Sequence, residues 1–222
     1  MIVLRANPNN LKSAVKAAVT VLRRGGVIAY PTETTYGLGC DPRNAKAIAG
    51  IFSIKGRDRK KPLLLVAADV KQAKSVAHLV GANNHSPLHD IIRRHWPGPL
   101  TLVLPVRVGV IHELPLPIRP NREIAIRVSS DGFVQAVCRA YGFPIVSTSA
   151  NRSGEPDCRS GRAVRRVFAG TGKKPDLLID AGALPRRKPS TVARLKADGT
   201  VQILRQGAIR LGLTGEPGRS NK

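Results

Sequence analysis

Lys55 and Arg57 stand two residues apart in the run KGRDRKK (55–61), where one acid accompanies the cations. On an extended segment, side chains two positions apart point the same way. A guanidinium fork beside an ammonium suits a triphosphate. The same run also fits a solvated helix end, with cations set against the carbonyl end of the dipole, and Arg59, Lys60 and Lys61 are read that way. A second segment, STSANRSG (147–154), offers the hydroxyls of Ser147 and Ser149 and the amide of Asn151. Such small donors fit a phosphate or a carboxylate, or else make an ordinary Ser/Asn turn. Arg127 is the third candidate, flanked by Ile126 and Val128 in IAIRV (124–128). A cation in so apolar a setting needs an anionic partner, either a carboxylate of the chain or one carried by a substrate.

These groups need rigid elements to position them. Leu11, Val15, Ala18 and Leu22 recur on one face of a helix over 10–24, closed by Gly25-Gly26. The apolar strand VIAYP (27–31) runs into TETTYGLG (32–39), read as a Gly-rich loop with close backbone approach. A helix over 44–54 precedes the basic run, and PLLLVA (62–67) is a buried strand. Helices are expected over 69–80 and over 86–96, the second with Ser86 as N-cap and Pro87 at its first position. Strands follow at 100–106 and 124–128, a helix at 131–141 ending on Gly142, and a strand at 144–148. A short helix at 160–168 precedes strands at 177–180, 190–195 and 200–205. Alternating elements followed by clustered strands indicate one α/β domain, residues 1–210, around a large twisted sheet with parallel and antiparallel pairs. Residues 211–222 read as a loose polar tail. The polar segments follow directly on apolar strands, where such sheets hold ligands.

The composition narrows the partners. There are 37 Lys and Arg against 14 Asp and Glu, a formal net charge of +23. Such a surface attracts polyanions, RNA first among them, although a generally basic surface needs no dedicated ligand. Hydrophobic residues make up 42% of the chain, enough for a core. Cys40, Cys138 and Cys158 are widely spaced and form no zinc pattern, which fits a reducing compartment. No leader and no membrane-length apolar run is evident, so the chain reads as soluble and cytoplasmic, without membrane contact. The P-loop, GxGxxG, GxSxG and HExxH fingerprints are absent. A bound nucleotide would therefore sit in another kind of cradle.

Seven segments carry a resemblance. PTETTYGLGCD (31–41), IFSIKGRDRKKPLLL (51–65), WPGPLTLVLP (96–105), IAIRV (124–128), STSAN (147–151), PSTV (189–192) and ILRQGAI (203–209) match the order and spacing of the YrdC/Sua5 family. The chain resembles its short, single-domain branch from about residue 10 to 209. The resemblance implies a single α/β domain with a positively charged concave face. It implies the synthesis of L-threonylcarbamoyladenylate and pyrophosphate from L-threonine, bicarbonate or CO2, and ATP with Mg²⁺. A partner transfer complex would then pass the threonylcarbamoyl group to adenosine 37 of tRNA. The family's KxR…SxN signature falls on Lys55, Arg57, Ser149 and Asn151, which would cradle ATP. By the same resemblance, Thr34 would contact threonine, Arg127 its carboxylate, and Ser147 the same pocket, while Ser190 and Arg205 would contact the nucleotide. The chain departs from some members at Val66, where they carry His, and at Asp157, where they carry a small polar residue. A YciO-like paralogue type often alters the KxR and SAN residues, and both are kept here. Two other readings remain: a basic RNA-binding or ribosome-assembly paralogue without chemistry, and a carbamoyl-transferase domain of the hydrogenase-maturation kind. The latter sits in longer chains with zinc-type cysteine motifs.

Overall fold

The structure, a computed structural model, describes residues 1–79, 87–110, 113–115, 117–170, 172–196 and 200–211. Strand β1 (Ile2–Arg5) precedes helix α1 (Leu11–Arg23), which buries Ala14, Val15, Ala18, Val19 and Leu22 along one stripe. Leu11, expected on that stripe, is exposed in the first turn. β2 (Ile28–Tyr30) turns back into β3 (Gly37–Gly39), so part of the expected Gly-rich loop is a strand antiparallel to β2. Helix α2 (Ala45–Lys55) starts where the Asn44 side chain accepts from the Ala47 amide. It stops at Gly56, whose φ of 58° is the left-handed conformation that favours glycine.

β4 (Leu64–Ala67) and α3 (Val70–Val76) follow, the helix ending earlier than its periodicity predicts. Ala77 instead bridges to Val106, and its backbone leaves the helical region. Helix α4 (Pro87–His95) matches expectation, while its expected cap, Ser86, lies outside the described residues. Then come β5 (Leu100–Pro105), β6 (Glu123–Val128), α5 (Gly132–Tyr141) and β7 (Ile145–Ser149). α6 (Gly161–Val167), β8 (Leu177–Asp180), β9 (Thr191–Leu195) and β10 (Val201–Arg205) complete the described elements. Of the expected tail, all but Leu211 lies outside the described residues.

The strands form one mixed sheet in the order β1-β8-β2-β3-β7-β4-β6-β5-β9-β10. The pairs β1/β8, β2/β8, β4/β6 and β5/β9 are parallel and the others antiparallel. Alternation along each strand sends its residues to two cores. Ala29, Leu65, Val146 and Leu178 pack with α2, α3, α4 and α6 on one face. Ile28, Tyr30, Val66, Ile145 and Ile179 pack with α1 and α5 on the other. Each fully buried Leu, Ile or Val contributes about 1.5–3 kcal/mol, so these cores hold the sheet rigid.

Candidate functional site

Helices α1 and α5 cover only one half of their sheet face. Val66 lies under them, whereas Leu64, two residues back on β4, packs at their margin and also lines a cleft of about 610 Å³. The cleft floor is a row across the sheet. Ser147 pairs with Leu64, Leu64 with Ala125, Ala125 with Val103, and Val103 with Arg194. Arg127 rises one step along β6, and Thr101 one step along β5.

Loops from four places make the walls. Thr32 organises the turn after β2. Its hydroxyl accepts from the Thr34 and Thr35 amides and lies 3.1 Å from the Thr34 hydroxyl. Ser149 follows from β7, and Arg57 reaches in from the end of α2. On the far side, Ser190 lies 3.1 Å from the Thr101 hydroxyl and accepts from Arg205 through both its carbonyl and its hydroxyl. Gly207 makes this wall possible. A side chain there would collide with the Pro189 carbonyl and with Ser190, against which the returning chain lies.

Thr34, Arg57, Arg127, Ser147, Ser149, Ser190 and Arg205 therefore line one cleft. Lys55 and Asn151 do not. The extended reading of Lys55 and Arg57 fails because Lys55 is the last residue of α2 and Gly56 turns the chain. Its ammonium is buried behind the loop, donating to the Ser149 carbonyl (2.5 Å), the Asn151 carbonyl (3.0 Å) and the Asn151 side-chain oxygen (2.7 Å). All three of its protons are thus used within the protein. The Ser149 hydroxyl donates to the same Asn151 oxygen at 2.6 Å. In this structure Lys55 and Asn151 set the shape of the wall, and Ser149 and Arg57 present it.

Burial, then the neighbouring Arg57 charge, pulls the Lys55 ammonium down to about 8. Desolvation also lowers Arg57 and Arg205 from the ordinary guanidinium range. Among the described residues neither of these arginines has a carboxylate within ion-pair distance. Arg57 donates to the Pro62 carbonyl at 3.0 Å, and its Nε has no partner. Two desolvated cations without a salt-bridge partner favour an anionic ligand, although Asp157 also lines the cleft.

Arg127 does have an acid. Glu33 Oε1 lies 3.0 Å from its Nη1, with both side chains buried, so the protein supplies one of the two partners the sequence left open. The Arg127 Nε is still without a hydrogen-bond partner, which leaves donor capacity. Sequence reasoning missed Glu33, although an acid inside the run TETT was visible. It also missed Arg194, paired with Glu123 at 3.0 Å, whose alternate position in STVARL marked it as sharing a face with Val192. Asp157 lines the cleft, whereas Val66 belongs to the covered core.

The fold and the cleft define a mixed α/β protein with a cleft lined by arginines and small hydroxyls on the uncovered half of its sheet. The family profile Sua5_yciO_yrdC, described as telomere recombination, matches residues 20–207. The chain belongs to this Sua5/YciO/YrdC family. It is 40% identical over 177 residues to a threonylcarbamoyl-AMP synthase of Chromobacterium violaceum, covering 79% of this chain and 86% of the relative. Among solved structures, P. abyssi Sua5 complexed with L-threonine superposes with a TM-score of 0.78 at 31% identity, covering 93% of this chain. This chain spans only 57% of that longer protein. E. coli YciO superposes with a TM-score of 0.76 at 26% identity, covering 93% and 94% of the two chains.

Proposed function

We infer that the chain is a threonylcarbamoyl-AMP synthase. The observation that carries this reading is the cleft itself: Arg57 and Arg205, without salt-bridge partners among the described residues, stand on its walls, and Arg127 stands on its floor beside small hydroxyls. In this reading the carboxylate of L-threonine pairs with Arg127, near Thr34 and Ser147. ATP lies toward Arg57, Ser149, Ser190 and Arg205. The threonine amine takes up CO2, from bicarbonate, as a carbamate. A carbamate oxygen then forms a bond to the α-phosphorus of ATP. The bond from that phosphorus to the bridging oxygen breaks, and pyrophosphate leaves.

No side chain acts as a covalent nucleophile in this scheme. The residues hold two anions together and offset the charge that develops on the leaving group. Among the described residues, no cluster of three His, Cys, Asp or Glu could hold a metal. Mg²⁺ therefore enters the proposal as a chelate of the triphosphate, where it would neutralise the departing pyrophosphate. Lys55 and Asn151 act from behind, fixing Ser149 and the wall it belongs to. Delivery of the product to a transfer complex acting on adenosine 37 of tRNA completes the proposed role. The net charge of +23 supports direct electrostatic contact with tRNA. No helix among the described residues is long and apolar enough to cross a membrane.

The test is pyrophosphate release from ATP, Mg²⁺ and bicarbonate, with and without L-threonine. Release that requires both threonine and bicarbonate supports the synthase. Absence of release with tRNA binding retained favours the second reading, an RNA-binding paralogue, for which the charge is the supporting observation.

A further inference from the structure

We propose that Glu33 is a positioning residue that holds Arg127 for the carboxylate of the amino-acid substrate, a role that rests on the threonine reading above. Glu33 stands among cleft residues without being one. Thr32, Thr34 and Thr35 line the cleft, while Glu33 lies behind Arg127. Its two oxygens have different tasks. Oε1 lies 3.0 Å from Arg127 Nη1, and Oε2 accepts from the Ser129 hydroxyl at 2.9 Å.

Ser129 is fully buried and is itself fixed from two sides. Its hydroxyl accepts from the Asp131 amide at 3.2 Å, and its carbonyl accepts from the Gln135 side chain at 2.8 Å. Asp131 caps α5, and Gln135 lies within that helix. A continuous chain of contacts therefore runs from the start of α5 through Ser129 and Glu33 to the guanidinium on the cleft floor.

The arrangement uses only part of what Arg127 offers. Nη1 faces Glu33, and the residue still lines the cleft while it is paired. A second carboxylate entering from the cleft side can therefore join without displacing the first. Glu33 restrains a long, flexible side chain that must be in place before the ligand arrives, and it offsets the guanidinium charge while the cleft holds no ligand.

The experiment is steady-state kinetics of pyrophosphate release with Glu33→Gln and Ser129→Ala, varying threonine and ATP separately. Glu33→Gln keeps the shape and removes the charge. It is expected to raise KM for threonine about tenfold or more, because the buried Arg127 charge is left without its ion-pair partner, while KM for ATP changes less than about twofold. Ser129→Ala, which frees Glu33 without removing it, should raise KM for threonine less, and again leave that for ATP. A threonine KM that is unchanged or lower in both variants overturns the proposal. So does a parallel rise in both KM values, which is what general damage to the cleft would produce. If Glu33→Gln does not fold, Ser129→Ala decides on the same criteria. Wild-type protein without threonine-dependent release would instead overturn the synthase reading, and this role with it.

Discussion

Ile145 and Ser147 are two residues apart on one strand and share one face of the sheet. Ile145 packs beneath α1 and α5, and Ser147 lies in the cleft. Val66 and Leu64 repeat the contrast on the neighbouring strand. The strands are the same, and only the cover differs. Under the helices the buried side chains come from Ile, Val, Leu, Ala, Tyr, Phe and Cys. Beyond them the buried polar residues gather: Thr32, Thr34, Thr35, Thr101, Arg127, Ser147 and Ser190 line the cleft, and Lys55, Ser129 and Asn151 brace it. Keeping polar groups buried with unsaturated donors costs stability, so the covered half supplies what the open half spends.

That division can be broken from either side. The largest expected effect is on the open half: Arg57→Ala should lower threonine-dependent pyrophosphate release about 10²–10³-fold, as for other lost charge-stabilising donors. Its melting temperature should barely move, because its hydrogen bond to Pro62 lies at the exposed edge of the site. Lys55→Ala should lower turnover to a similar extent yet also melt earlier, since the buried Asn151 carbonyl loses its Lys55 donor at about 1–3 kcal/mol, while the Ser149 carbonyl and the Asn151 side-chain oxygen each keep one other donor. Equal melting temperatures for the two variants would refute the distinction between a residue that faces the ligand and one that braces the wall.

On the covered half, Ile145→Ala should cost about 2–5 kcal/mol in chemical denaturation and leave both KM values unchanged. A specific rise in threonine KM would show that the halves are not separable. A smaller effect concerns pH. Lys55 titrates near 8, so nucleotide binding, followed by calorimetry, should weaken as pH rises through that value and one of the three donors is lost. The folded value lies below the ordinary 10.5, so the unfolded chain binds more protons between about 8 and 10.5. Folding stability therefore rises with pH across that window, and the weakening is not unfolding. The smallest effect belongs to the outer surface. Arg162→Gln, on the exposed side of α6, should reduce the slope of log tRNA affinity against log salt by about one. Affinity indifferent to salt would remove electrostatics as the basis of contact.

The helices were largely legible because their signals are local. Asn44, Asp131 and Ser160 cap α2, α5 and α6, and Gly56 and Gly142 close two of them. β1 escaped notice because it is an edge strand with Ile2 70% exposed, so it carries no clear alternation between buried and exposed residues. β3 reads as loop because glycine is a poor strand former, and its pairing with β2 and β7 lies in the tertiary structure. At the site, motif residues were found by type and spacing, but their division of labour was not. Lys55 faces the loop because it ends a helix, and the left-handed Gly56 then turns Arg57 out of the period-two pairing with it. The Glu33–Arg127 pair joins residues far apart in the chain, and no local pattern links them.

The row from Ser147 to Arg194 has one more consequence. Adjacent strands are held about 4.8 Å apart by their ladders, so the four steps from β7 to β9 fix a span of roughly 19 Å. The cleft floor is thus a ruler whose graduations are backbone hydrogen bonds. A side-chain change can move an end stop, but it cannot stretch the scale. A ligand lying across these strands is measured in whole strand widths, and a relative that accepted a much longer one would need another strand in the floor.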